Sequence, residues 1–132
     1  SIIKKEKRKY FMTIGEFSKK TGISVYTLRY YEDKKLIVVP RDEKGRRVYT
    51  QKEIEWVQFI KRLKETGMKL QEIQKYAGLR YKGEKTMPER LELLKKHYDI
   101  VIEQQKKWEM YLQNLEQKML WYEEQIEKNK TP

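Results

Sequence analysis

Cysteine is absent from the 132 residues, which removes disulfides, thiolate metal sites and cysteine redox chemistry together. No cofactor or metal is expected. Histidine occurs once, as His97, and a lone histidine near the start of a helix reads as a surface or flanking residue rather than a ligand. No stretch of 18 apolar residues exists, so no membrane-spanning helix and no membrane partner is expected. The leading SIIKKEKRKYF is basic but lacks the apolar core of a signal peptide, which fits a cytoplasmic protein. There is no nucleophile–base set, no metal cluster and no glycine-rich phosphate loop, so an enzyme is not expected. Glycine and proline number only 6 and 3, and neither occurs between Glu89 and Asn129.

What is abundant is charge. Lys and Arg total 31 against 20 Asp and Glu, a net +11, and mean hydropathy is −1.00. Such a chain has too little apolar material for one large core, so part of it should be elongated or pack on a partner. Residues 1–12 hold five bases and one acid; residues 13–79 hold fifteen and nine; residues 80–132 hold eleven and ten. The cationic excess lies in the first 79 residues, which points to a polyanion such as nucleic acid. The 12% aromatic content argues against disorder.

Residues 1–11 read as a basic N-terminal arm or a leader, with Met12 a candidate start. Thr13 and Glu16 have the spacing of a capping box, and a short helix should end at Thr21-Gly22. Ser24 caps a second helix over about Val25 to Lys34, so two helices and a tight glycine turn occupy about twenty residues, the spacing of a helix-turn-helix. Leu36-Ile37-Val38-Val39 is β-prone and is halted by Pro40. With Gly45 and Val48-Tyr49 it predicts a small hairpin with a charged tip. Thr50 and Glu53 begin a third helix to about Glu65, whose buried stripe is Ile54, Val57, Ile60 and Leu63, widened by Trp56 and Phe59. Leu70 to Leu79 forms a fourth helix. Residues 80–87 read as a polar linker.

Residues 88–129 read as one long helix, with Thr86 as cap, Pro88 in the first turn and Glu89 completing the box. Leu91, Leu94, Tyr98, Val101, Gln105, Trp108, Leu112, Leu115, Met119, Tyr122 and Ile126 follow a 3-4-3-4 spacing. Roughly 40 helical residues would span about 60 Å, too long for that seam to hide against a small domain. The expectation is a homodimer through this C-terminal helix, a two-stranded coiled coil. Gln105 in the seam either sets register or is simply tolerated. Ile100, Ile102, Tyr111, Leu120 and Trp121 lie off the seam, and either pack on the small domain or line a pocket.

On the second helix, Leu28 and Tyr31 can face the core, leaving Tyr26, Thr27, Arg29 and Tyr30 outward. Arginine forks onto guanine edges or phosphate, and Tyr and Thr hydroxyls reach phosphate oxygens. Arg46 and Arg47 at the hairpin tip could reach phosphates of a neighbouring groove. The stretches Thr13-Ile14-Gly15-Glu16, Gly22-Ile23-Ser24, Thr27-Leu28-Arg29-Tyr30-Tyr31-Glu32, Leu36-Ile37 with Pro40-Arg41, Gly45-Arg46-Arg47-Val48-Tyr49, Phe59-Ile60-Lys61 and Gly67-Met68 with Leu70-Gln71-Glu72-Ile73 together resemble the winged helix-turn-helix domain of the MerR family of bacterial transcription regulators. Residues 12–79 carry that resemblance, and 86–128 resemble the family's long dimerisation helix.

The resemblance implies a mainly α fold, a winged helix-turn-helix followed by an antiparallel coiled-coil helix. It implies a homodimer bound to a pseudo-palindromic operator in double-stranded DNA, distorting a promoter for RNA polymerase. By position it carries DNA contacts to Thr13, Ser24, Val25, Tyr26, Thr27, Arg29 and Tyr30, and to the wing residues Arg46, Arg47 and Tyr49. In the family's thiol-responsive branch the reactive cysteine falls at Arg62, so that chemistry is absent, and cysteine-based metal sensing with it. The family usually has glycine where this chain has Lys35, which predicts a strained or reshaped turn. The chain ends about where the long helix ends, so any small-molecule effector would sit where that helix meets the DNA-binding domain. The rival reading is a DNA-architectural or excision-type protein using the same domain without an effector; a third is a coiled-coil adaptor.

Overall fold

The computed structural model describes residues 12–130, and the expected arm at 1–11 lies outside them. Five α-helices occur among the described residues: α1 (Ile14–Thr21), α2 (Val25–Asp33), α3 (Gln51–Glu65), α4 (Leu70–Lys82) and α5 (Met87–Lys130). The chain divides into two compact units, one ending at Leu93 and one beginning at Leu94.

In the first unit, each helix starts and stops for a local reason. Thr13 caps α1 by accepting the Glu16 N–H at 3.2 Å. Gly22, at φ 71, closes it and donates to the Ser18 carbonyl. The turn into α2 is tightened by side chains. Ser18 Oγ donates to the Ile23 carbonyl at 2.6 Å, and Thr21 Oγ1 donates to Phe17 O at 2.9 Å while accepting from Ile23 N. Thr50 leads α3, with its N–H donating to the Glu53 carboxylate at 2.9 Å. Phe17, Leu28, Tyr31, Leu36, Ile37, Val57, Ile60 and Ile73 form the core where α1 packs on α2 and α3, and α3 on α4. The expected stripe of α3 is buried together with Trp56, while Phe59 is half-buried.

Three expectations are corrected here. Leu36–Val39 forms no strand: three backbone groups along residues 34–38 are bonded by side chains from α3 and α4 instead of a ladder. Trp56 Nε1 donates to Leu36 O at 3.0 Å, Gln74 Nε2 donates to Lys34 O at 3.1 Å, and Val38 N–H donates to Tyr81 Oη at 3.0 Å. The expected hairpin is accordingly a loop with a single antiparallel bridge, Arg41 to Arg47; a second isolated bridge joins Met12 to Tyr49. The segment 80–87 is not an open linker. α4 continues to Lys82, Gly83 turns at φ 103, and one 3-10 turn, Glu84–Thr86, leads into α5. Thr86 is buried, its hydroxyl 2.6 Å from Leu79 O and 2.7 Å from Gly83 O while accepting from Arg90 Nε at 3.1 Å.

In the second unit, α5 presents Tyr98, Trp108, Leu112, Leu115, Met119, Tyr122 and Ile126 more than half exposed. Val101 and Leu94 are half-buried, Gln105 is exposed, and Leu91, on the first unit, is half exposed. Two ring pairs, Trp108 with Tyr111 and Trp121 with Tyr122, stand edge to face, and Lys118 Nζ lies 4.8 Å from the Trp121 ring centre. His97 is buried at 6% exposure, which removes the surface alternative of the two expected and leaves the flanking one. No helix among the described residues is long and apolar enough to cross a membrane.

Candidate nucleic-acid interface

The surface begins with the residues of α2. Ser24 has extended backbone and caps the helix: its hydroxyl accepts from Thr27 N–H at 3.1 Å and donates to Thr27 Oγ1 at 2.9 Å. Capping fixes the first turn, where side chains of a recognition helix meet base edges. Leu28 and Tyr31 are 0% and 2% exposed, so the inward face is the one expected. The opposite face carries Tyr26, 82% exposed, and Arg29, also exposed. Val25, Thr27 and Tyr30 are half-buried along it. Tyr30 lies between two lysines: Lys64 Nζ is 5.3 Å and Lys34 Nζ 5.8 Å from its ring centre. Lys64 belongs to α3, so only folding brings it beside α2.

α2 ends in a Schellman motif. Leu36 N–H donates to Tyr31 O at 2.9 Å and Lys35 N–H to Glu32 O at 3.0 Å. Lys35 occupies the left-handed position at φ 62, the one non-glycine residue with positive φ among the described residues. The turn thus keeps the shape a glycine would give it, and the departure from the family pattern is held as local strain.

The wing, residues 40–49, is held by backbone bonds between its limbs, Asp42 N–H to Arg46 O and Val48 N–H to Pro40 O at 2.9 Å, and by two carboxylates. Asp42 Oδ1 accepts the N–H groups of Lys44 and Arg46 at 2.9 Å, and Oδ2 accepts from Arg46 Nε at 2.9 Å. Those donors, the Arg46 backbone N–H foremost, hold the Asp42 carboxyl below the usual carboxylate range. Gly45 supplies φ 77 at the tip. Glu32, from the last turn of α2, accepts from Arg41 Nη2 at 2.6 Å and from Arg47 Nε at 2.5 Å. The hydrogen bond to Glu32 holds the Arg47 guanidinium even more firmly protonated than usual.

The expected contact residues therefore divide. Tyr26, Arg29 and Arg46 reach solvent, Arg46 with 71% of its side chain exposed despite its pair with Asp42. Thr13 and Ser24 are exposed, but their hydroxyls serve as helix caps. Arg47 is half-buried against Glu32. Tyr49 is removed from the contact set: it is 0% exposed, its ring stacked 4.2 Å from Phe17, and its buried hydroxyl has no hydrogen-bond partner among the described residues. Burial raises that hydroxyl's pKa. Glu32, Arg41, Asp42, Lys34 and Lys64 were not among the expected contacts; Glu32 and Arg41 stand in the stretches that carry the family resemblance, while nothing in the spacing marks Asp42, Lys34 or Lys64. No group of three His, Cys, Asp or Glu that could hold a metal occurs among the described residues.

The family model for MerR HTH family regulatory proteins matches residues 12–78, and that for MerR DNA binding matches 54–118. The chain is 38% identical over 112 residues to an uncharacterized HTH-type transcriptional regulator of Haemophilus influenzae, covering 84% of this chain and 83% of that one. It is 46% identical over 67 residues to the mercuric resistance operon regulatory protein of Bacillus cereus, covering 50% and 51%. Among solved structures, HiNmlR, a MerR family regulator lacking the sensor domain and bound to promoter DNA, aligns with TM-score 0.78 and 36% identity over 86% of this chain and 91% of that one. A MerR family transcriptional regulator from Bacillus thuringiensis aligns with TM-score 0.74 and 29% identity over 83% and 97%. With a capped helix that offers Tyr26 and Arg29 to solvent beside an arginine-tipped wing, the chain belongs to the MerR family and is a DNA-binding transcriptional regulator of that type.

Proposed function

We infer that this chain binds a pseudo-palindromic promoter operator as a homodimer and distorts the DNA between the half-sites, so that RNA polymerase engages the promoter differently in the free and bound states. The observation that carries the reading is the solvent-facing Tyr26 and Arg29 on a helix whose opposite face is wholly buried. α2 enters the major groove, with Arg29 forking onto a base edge or phosphate and Tyr26, Thr27 and Tyr30 placing the helix. The tip, through Arg46, meets the backbone of the adjoining groove. Dimerisation is supported by the exposed seam of α5, where large apolar side chains recur at heptad spacing. Bending costs a few kcal/mol, offset by the contacts it allows. The site of action is the cytoplasm, where the promoter is; an effector, if the regulator uses one, is a small molecule.

The test is hydroxyl-radical footprinting on the DNA upstream of the chain's own gene, with and without polymerase. Two protected half-sites about one helical turn apart, with binding that weakens steeply with salt, are expected. Protection with no sequence preference would instead favour an architectural protein.

A further inference from the structure

We propose that Glu32 is a positioning residue that sets the angle between the recognition helix and the wing, and so the groove-to-groove fit of the DNA-binding unit. The inference rests on the DNA-binding reading above. A carboxylate in this place calls for a reason, because it puts negative charge at the edge of a surface that meets a polyanion. For affinity alone, a neutral residue would serve better.

The geometry supplies the reason. Backbone bonds join the two limbs of the wing to each other, Asp42 N–H to Arg46 O and Val48 N–H to Pro40 O at 2.9 Å around the one isolated bridge, Arg41 to Arg47, but none of these bonds reaches α2. Glu32 stands on the last turn of α2 and takes one residue from each side of that bridge. Oε1 holds Arg41 Nη2 at 2.6 Å, and Oε2 holds Arg47 Nε at 2.5 Å. Both oxygens are used, so the two limbs of the wing are tied to the helix that carries Arg29 and Tyr26. The Glu32 side chain is only 20% exposed and that of Arg47 31%, so the pair is partly shielded from water and screened less than a surface ion pair. Engagement through Nε also fixes the plane of the Arg47 guanidinium, because the fork is rigid. Asp42 organises the tip in a separate set of contacts with Lys44 and Arg46, which leaves Glu32 as the tie between tip and helix. Glu32 remains with its two arginines when DNA is bound.

Glu32→Gln in the full chain tests this. The duplex probes are the operator fragment protected by the wild type and a random-sequence duplex of equal length. Expected is a folded dimer by circular dichroism and sedimentation, with the recognition-helix protection kept and the flanking wing protection weakened. The preference for operator over random duplex should fall by about tenfold, while random-duplex binding is unchanged or tighter. If Glu32 only adds stability, Glu32→Gln lowers the melting temperature and leaves both footprint and preference as in the wild type; that result overturns the proposal. A second measurement needs no variant: the Arg47 Nε–H proton of the wild type should resist solvent exchange both free and on the operator. Rapid exchange in the complex means that Arg47 leaves Glu32 for phosphate, and sinks the proposal even where Glu32→Gln does not fold. Absence of any selective footprint by the wild type removes the DNA-binding reading and this inference together, whereas a normal wild-type footprint that Glu32→Gln leaves unchanged removes only this inference.

Discussion

Arg29 stands exposed on α2 and makes no ion pair with any described residue, whereas Arg41, Arg46 and Arg47 are each paired with a carboxylate. An uncommitted guanidinium on a recognition helix is the residue best placed to discriminate bases. Arg29→Ala should reduce operator affinity by about 1–3 kcal/mol and flatten the preference at one base position, with the melting temperature unchanged; competition binding against singly altered operators measures it. Lys35 illustrates a different residue-scale effect. Its φ of 62 lies where a Cβ crowds the following carbonyl, at a cost of about 1–2 kcal/mol. Lys35→Gly relieves that crowding but enlarges the entropy of the unfolded chain by about 0.4–1 kcal/mol, so a gain between about 0 and 1.6 kcal/mol is expected. Lys35→Val, branched at Cβ, should lose more than about 1 kcal/mol. Urea unfolding of the three forms would decide it, and equal stability of Val and Gly would refute the strain.

At the scale of the element, α2 depends on its two ends. The Schellman motif closes one and Ser24 the other. Ser24 was expected to contact DNA, yet its hydroxyl both accepts from Thr27 N–H and donates to Thr27 Oγ1. The two roles separate by substitution. Ser24→Ala should cost about 1 kcal/mol through the lost cap. Ser24→Asp should keep the stability, since aspartate caps equally well, while weakening DNA binding by repulsion from phosphate. If Ser24→Asp bound the operator as tightly as wild type, the start of α2 would not approach the backbone. The wing shows the same dependence on ends and ties. A few backbone bonds join its limbs, Asp42 N–H to Arg46 O and Val48 N–H to Pro40 O, and Asp42 at the tip and Glu32 at the base add side-chain ties that a longer ladder would make unnecessary.

For the whole molecule, the exposed apolar side chains of α5 are the dominant unmet demand. Tyr98, Trp108, Leu112, Leu115, Met119, Tyr122 and Ile126 each leave about half or more of their surface in water, and a pairing helix would bury them. Burial of a large apolar side chain is worth about 1.5–3 kcal/mol, so a charge in mid-seam is costly. Leu112→Lys should give monomers in sedimentation velocity. Operator affinity should then fall by about 100-fold, because two linked half-site contacts become one. A Leu112→Lys chain that still sediments as a dimer would place the interface elsewhere. The same burial logic accounts for the inner surface of the first unit, where Phe17, Tyr31 and Tyr49 are almost wholly covered.

Sequence by itself determined the helices, the caps at Thr13 and Ser24, the inward pair Leu28 and Tyr31, and the heptad spacing of α5, because each is a local pattern of period, cap or glycine. The same local signals led to a strand at Leu36–Val39, and the family resemblance, carried over by position, led to a contact role for Tyr49. Both failed because the deciding partners come from far along the chain: Trp56 and Tyr81 satisfy the backbone of the first, and Phe17 covers the second. Only tertiary structure decided that Arg41 and Arg47 share Glu32, and that Lys64 stands beside Tyr30. Spacing along the chain records which residues can lie on one face, but the pairing of charges depends on distances that exist only after α2, α3 and the wing have packed.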